Sequence, residues 1–327
     1  MASIHVTIEL DGGHPTEPSL QTLGMGRRLA SYLGASLYAV VPTSDGGQDE
    51  QHELARRLGS HGADRVILVV GEGLERPLLY ATHGTAVYSV CESLPASLVL
   101  VAASPGGRDL APRLAARMGA VFVPEPSVGY ADDGELVLTR PLYGGAFRNQ
   151  LSTEDMDRTI VATITPGCTT TADATAVPGL AVLRADHHDR NVTEVSRTED
   201  PGAVLETATV VVGAGTGVSY DAFGLVSELA RALGGEVAVT HEAAHRGLGT
   251  KDRIVDIGAR RINPRLYIAC GASGSAAHLN AVSHYSRIVA VNRDPQAPIF
   301  QVAHYGIVGD VETVVPKLLA ELQGGKA

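Results

Sequence analysis

Residues 208–223 read ATVVVGAGTGVSYDAF: an apolar, β-branched run (Ala208–Val212), then Gly213-Ala214-Gly215-Thr216-Gly217, then the start of an amphipathic helix, Tyr220–Leu233. A strand, close-set glycines and a helix are how α/β proteins hold a phosphate. Glycine permits the tight turn and lets the backbone approach the ligand, while the helix N-terminus supplies N–H donors and partial positive charge. The spacing here is G-x-G-x-G, with Val218 where the dinucleotide fingerprint has its third glycine. Glu242 stands roughly where an NAD site has its ribose-binding acid. Taken alone, the stretch leaves three readings open: a plain strand-to-helix turn, a nucleotide phosphate site, or an NAD dehydrogenase site.

The same alternation extends in both directions. Downstream, strands are expected at Glu236–Thr240, Leu266–Cys270 and Arg287–Val291, followed by the segment Pro298–Val302 and a final helix, Val311–Leu322. Upstream, strands are expected at Ile4–Leu10, Ser36–Val41, Arg65–Val70 and Ser97–Val101, with Leu136–Arg140 and Thr159–Ile164 later. Helices fit Leu20–Leu33, Gln51–Ser60, Thr85–Ser93 and Asp109–Met118, and Tyr143-Gly144-Gly145 reads as a turn. Short Val/Ile-rich runs alternating with amphipathic stretches are the signature of parallel α/β layers. Between residues 166 and 202 the pattern fades into polar, Pro- and Gly-containing chain with only a short strand candidate. The expected organisation is an N-terminal α/β domain (1–165), a connecting segment (166–202) and a C-terminal nucleotide-binding domain (203–327). Each domain would be a mostly parallel sheet with flanking helices.

Composition excludes several functions. The chain of 327 residues is 44% hydrophobic and 19% charged, a soluble globular balance. Aromatics are 4% with no Trp, so the cores must rest on Val, Leu, Ile and Ala. A net charge of −10 repels a phosphate backbone and argues against nucleic-acid binding. No apolar run approaches the roughly 20 residues of a bilayer-spanning helix. The N-terminus enters a strand without a basic region or cleavage site, so a cytoplasmic location is expected. Cys91, Cys168 and Cys270 are scattered and are read as structural.

Near the C-terminus, LYIACGASGSAAHL (266–279) and RIVAVNRDPQAPIFQVAHYGIVGD (287–310) run two strands into polar turns at one presumed sheet edge. Open α/β sheets bind ligands at that edge. Ser273-Gly274 suits phosphate oxygens; Asn292 and Asp310 suit sugar or base edges. These blocks resemble the electron-transfer flavoprotein alpha subunit family, in order and spacing, most specifically from Leu266 to Pro316. Weaker echoes are GGRDLAPRLAARMGA (106–120) and RPLYGG (140–145). The resemblance implies a C-terminal Rossmann-like FAD-binding domain and an N-terminal domain packing against a beta-type subunit in a heterodimer. It further implies electron transfer from flavin dehydrogenases to a downstream acceptor, an electron carrier rather than an enzyme with its own substrate.

The resemblance also carries residues over. Ser273 and Gly274 match the family's phosphate turn, with Ser275 beside them, and His278 its flavin-contacting histidine. Asn292 matches the asparagine after the following strand, and Asp310 the aspartate near adenosine. Gly213, Gly215 and Gly217 line the first turn, and Val255 is expected among the cofactor-binding residues. Other positions depart. The arginine of the Gly-Arg-Gly turn is Thr216; the Ser-Arg pair over the ring is Thr240-His241. The Gln-Thr pair aligns with Ile257-Gly258, the glutamine before the histidine with Ala277, and the aspartate of Ala-Asp-Tyr-Gly with His304. The losses fall on the ring side. Arginine is charged at any working pH, whereas an ordinary histidine is charged only near or below about pH 6.5. The implied cofactor is thus FAD, with a lowered or pH-dependent potential, or in the alternative an adenine nucleotide only, or none, in a structural or regulatory paralogue.

Other readings carry less. The histidines at 241, 245, 278, 284 and 304 are read as matching no ligand spacing such as H-E-x-x-H and so as not converging on a metal, and His187-His188 as a solvated loop. Gly271-Ala272-Ser273-Gly274-Ser275 nearly spells the hydrolase elbow but lacks its final glycine, which disfavours acyl transfer. Asp109, after Pro105-Gly106-Gly107, is expected to cap or open its own helix.

Overall fold

The computed structural model describes residues 3–44, 47–130, 136–142, 147–152, 158–165, 177–185, 192–193, 195–196, 198, 200–283 and 286–324. The Tyr143-Gly144-Gly145 turn, Cys168, His187-His188 and His284 lie outside them. The chain divides into two compact units, Met1–Leu142 with Arg148–Ser196, and Arg197–Ala327 with the short stretch Tyr143–Phe147.

In the first unit, β1 (Ser3–Thr7) leads through a small hairpin, β2 (Leu10–Asp11) and β3 (His14–Pro15), into α1 (Glu17–Leu33) and β4 (Ser36–Thr43). Next come α2 (Gln48–Ser60), β5 (Arg65–Val70), α3 (Tyr80–Ser93), β6 (Leu98–Ala102), α4 (Pro105–Met118) and β7 (Val121–Pro124). Strands β8 (Ser127–Tyr130), β9 (Leu136–Leu142) and β10 (Phe147–Ser152) form a separate small sheet, and β11 (Ile160–Ile164) and β12 (Gly179–Arg184) return to the main one. The main sheet is parallel in every pairing, in the order β12-β5-β4-β1-β6-β11-β7. Its central strands β1, β6 and β11 are buried along their whole length, as a parallel sheet covered on both faces requires.

Two expectations change here. Part of the presumed connecting segment is β12, paired with β5, so residues 177–196 belong to the first unit. Its run GLAVLR could not announce where it pairs, because β5 lies far away in the chain. Asp109 does not cap its own helix: Ser104 does, its Oγ accepting from Gly107 N–H at 3.0 Å. Asp109 instead accepts from Tyr80 N–H at 2.9 Å, capping α3, whose own N-cap residue is Leu79.

The second unit opens with α5 (Val204–Thr207). Then follow β13 (Val210–Ala214), α6 (Tyr220–Ala232), β14 (Glu236–Val239), α7 (His241–His245), β15 (Leu266–Cys270), α8 (Ala276–Leu279), β16 (Arg287–Asn292), α9 (Ile299–Val302), β17 (Tyr305–Val308) and α10 (Val311–Gly324). The parallel sheet runs β14-β13-β15-β16-β17, that is 2-1-3-4-5 within the unit. This is a doubly wound order, differing in detail from the six-stranded 3-2-1-4-5-6 of dinucleotide-binding Rossmann domains. One face is packed by α6 and α10 through Val212, Val226, Leu229, Val291 and Val315. The other is covered by short elements through Leu205, Val211, Val255, Tyr267 and Ile299. Arg260, mostly buried, ties the entry of the unit to its body by ion pairs with Asp200 and Glu206. Among the described residues, no helix is long and apolar enough to cross a membrane.

Candidate functional site

After β13 the chain turns to β14 on one side and returns to β15 on the other, so the order reverses between β13 and β15. Ligand crevices form outside the strand ends at such a point. The turns that meet there are the two glycine-bearing ones. Gly215 N–H donates to Cys270 O at 2.8 Å, Gly217 N–H to Gly271 O at 2.9 Å, and Gly271 N–H to Val291 O at 2.8 Å. A Cβ on Gly215 would stand 2.4 Å from Ala272 Cα and Gly271 O, far inside contact distance. Gly271 has φ +62°, and its Cβ would meet the Gly217 carbonyl carbon at 2.8 Å. The glycines therefore let one turn lie on the next. The amides of Gly215 and Gly217 are engaged within the protein and are not available to a phosphate, contrary to the simplest reading of the motif. Gly213 serves another purpose, since its missing Cβ makes room for the Tyr267 hydroxyl, which would stand 2.0 Å away.

The groups that remain open at this edge are Thr216, half-buried, and Gly217, Ser273 and Ser275, exposed. Ser275 also caps α8, its Oγ accepting from His278 N–H at 3.4 Å. Gly274 (φ +85°) packs against Ile299, whose N–H donates to Ser273 O at 2.9 Å. Asn292 braces two turns: its Nδ2 donates to Ala272 O at 2.9 Å and its Oδ1 accepts from Asp294 N–H at 3.0 Å. Asp310 caps α10, accepting from Glu312 N–H at 3.1 Å, and stays exposed. Ser273, Ser275, Asn292 and Asp310 are thus brought to one sheet edge.

The residues assigned to a ring side are arranged differently. His278 is buried, with Nδ1 2.9 Å from Val255 O and Nε2 2.8 Å from the Tyr267 hydroxyl. A carbonyl only accepts, so Nδ1 carries the proton and the tyrosine donates to Nε2. Both ring nitrogens are used inside the protein. Burial holds the imidazole below its usual pKa against the raising effect of the Val255 hydrogen bond, and burial pushes the Tyr267 phenol up. Val255 is buried, Ala277 is half-buried, Gly258 is exposed with its N–H on Asp256 Oδ1 at 3.0 Å, and Ile257 is 51% exposed. His304 takes up a turn role: its Nδ1 accepts from Ile288 N–H at 3.1 Å.

Thr240 caps α7 through Oγ1, which accepts from Ala243 N–H at 3.3 Å. His241 and His245 follow on one face of that helix, with stacked rings and Nε2 atoms 2.9 Å apart. The reading of these histidines as matching no ligand spacing is corrected by the residues themselves: His241-Glu242-Ala243-Ala244-His245 is H-E-x-x-H. Among the described residues, however, no group of three or more metal-ligating side chains is assembled.

A cavity of about 210 Å³ opens at the matching edge of the first unit, with Glu9, Thr43, Ser44, Glu75, Arg76 and His83 in its wall. No motif pointed to it. Glu9 accepts from the Ser104 hydroxyl at 2.6 Å, and burial is the main cause that raises its pKa. His83 is spoken for, its nitrogens on Thr82 Oγ1 and Leu74 O.

Residues 4–200 match the family model described as the electron transfer flavoprotein domain, and residues 204–283 the electron transfer flavoprotein FAD-binding domain. A curated relative, electron transfer flavoprotein subunit alpha of Thermoanaerobacterium thermosaccharolyticum, is 32% identical, the alignment covering 98% of this chain and 97% of the relative. The chain belongs to the electron-transfer flavoprotein alpha family. Protein FixB of Clostridium saccharobutylicum is 31% identical over 97% of this chain and 95% of its own. Electron transfer flavoprotein subunit alpha of Bacillus subtilis is 34% identical over 83% and 84%. Membership supports an alpha-type electron-transfer role and a flavin cofactor in general.

Proposed function

We propose that this electron-transfer flavoprotein alpha chain binds FAD at the carboxyl edge of its second sheet. It would work as a heterodimer with a beta-type subunit packed on the N-terminal domain, passing electrons from flavin dehydrogenases to a downstream acceptor. The observation that carries the reading is the placing of Ser273, Ser275, Asn292 and Asp310 at or after the ends of the neighbouring strands β15, β16 and β17 at one sheet edge, beside the glycine turns that meet where the sheet order reverses. On that side the donor set fits a nucleotide: the exposed Ser273 and Ser275 hydroxyls for phosphate, the Asp310 carboxylate for ribose or adenine donors. FAD, when bound, supplies the redox chemistry; the protein contributes position and electrostatics. Ser273 and Ser275 would hold the phosphates, and Thr216, Gly217, Thr240, His241, Val255, Gly258 and Ala277 would border the remainder.

A second reading has one observation in its favour. His278 has no ring nitrogen left over for a flavin, which suits a paralogue that holds an adenine nucleotide only, or none. The visible spectrum of the chain purified with its beta-type partner separates the two. Oxidised-flavin absorption is the expected result; its absence after added FAD would establish the paralogue.

A further inference from the structure

The second unit carries a histidine pair of which the flavin reading uses only His241. In H-E-x-x-H the i, i+4 spacing puts two imidazoles on one helical face, a bidentate arrangement for a transition ion. Residues 241–245 realise it. The Thr240 cap starts the turn, the two rings stack with centroids 4.8 Å apart at 22°, and the Nε2 atoms are 2.9 Å apart. At a zinc–nitrogen distance of about 2.05 Å, tetrahedral coordination separates two ligand nitrogens by about 3.3 Å. Closing a chelate therefore needs a shift of only a few tenths of an ångström. Without an ion, one Nε2 must donate a proton to the other, so the pair offers a single free lone pair at most; an ion uses both. Both side chains are exposed, so an ion reaches them without any opening of the fold.

We propose that His241 and His245 bind one divalent, imidazole-preferring ion (zinc, nickel or copper) through their Nε2 atoms. Imidazole suits these metals, whereas magnesium and calcium take oxygen ligands. With no third side chain assembled among the described residues, water completes the coordination. The site therefore binds without the three-ligand geometry that zinc hydrolysis requires. The site goes beyond the FAD reading and does not depend on it. One consequence does rest on that reading: residue 241 stands where the resemblance puts the ring-facing arginine, so a bound ion would restore a fixed positive charge there.

Calorimetric titration of the full-length chain with Zn²⁺ tests this, in flavin-loaded and flavin-free forms. One site is expected, weakened by about tenfold or more in His245→Ala and unchanged in the control His52→Ala. Equal Zn²⁺ affinity in the parent and His245→Ala would overturn the proposal. Should His245→Ala fail to fold, diethyl pyrocarbonate mapping of the parent decides: Zn²⁺ protects His241 and His245 if they are the ligands, and leaves both reactive if not. The flavin spectrum of the parent is read separately, so a missing metal site and a missing flavin are told apart.

Discussion

Both units are parallel sheets that end in polar turns, yet they finish their carboxyl edges in opposite ways. The first unit leaves a cavity walled by side chains, among them Glu9, Glu75 and Arg76. The second closes its switch point with backbone, turn laid on turn through Gly215, Gly217 and Gly271. A cavity edge tolerates changes in its side chains; a backbone-packed edge has no slack, and its specificity comes from the few groups left on its rim. The buried histidines do not divide in the same way, because His83 in the first unit also has partners on both nitrogens. His278 has partners on both nitrogens, whereas His5, fully buried in β1, has an Nε2 with no hydrogen-bond partner among the described residues.

The largest effect should come from Gly215→Ala. Its methyl group would drive two turns apart, costing the second unit about 3 kcal/mol by the usual penalty for overpacking. A calorimetric melt should show that unit's transition lowered and the first unit's unmoved; an unchanged melt would mean the turns are not packed as described. His278→Ala comes next. It leaves the Tyr267 hydroxyl buried without a partner, an expected loss of about 2–3 kcal/mol in flavin-free protein. If stability holds and only flavin is lost, the histidine faces the ligand and not Tyr267.

His5 supplies the pH test. Burial lowers its pKa from 6.5 to about 4, so the unfolded chain takes up its proton first as the pH falls. Its contribution is complete above about pH 6.5 and declines between there and pH 4, by about 2 kcal/mol from pH 7 to pH 5. Urea midpoints of the first unit at the two pH values measure this, and His5→Leu should flatten the difference. The smallest effect is a gain. Gly224, within α6, has open space where a methyl group would stand, with nothing within 4 Å. Gly224→Ala should therefore stabilise the second unit by about 0.5–1 kcal/mol, read as a raised urea midpoint.

Apolar runs such as β13, β15 and residues 288–291 of β16 were legible because the buried part of a parallel strand leaves no polar position in its run. The short elements were not. Strand β17 is four residues with Gly306 inside it, and α9 is four residues after Pro298, both below the length at which periodicity speaks. Pro105-Gly106-Gly107, which precedes the expected helix Asp109–Met118, forms the first turn of α4. There the glycines answer to close packing: a Cβ on Gly106 would stand 2.3 Å from Leu78 O, and one on Gly107 1.9 Å from Ala102 O. At the site, Ser273, Asn292 and Asp310 were legible as polar residues at strand ends. The partners of His278 were not, since Tyr267 and Val255 meet it only through the fold.

The Arg260 clamp bears on where the second unit can be cut free. The glycine-rich strand begins near residue 208, and a fragment trimmed to that point would discard both Asp200 and Glu206. Arg260 would then keep a mostly buried guanidinium with neither counter-ion. An excised nucleotide-binding fragment should therefore start no later than Asp200, and a protease that cuts just upstream of it should leave an intact core behind.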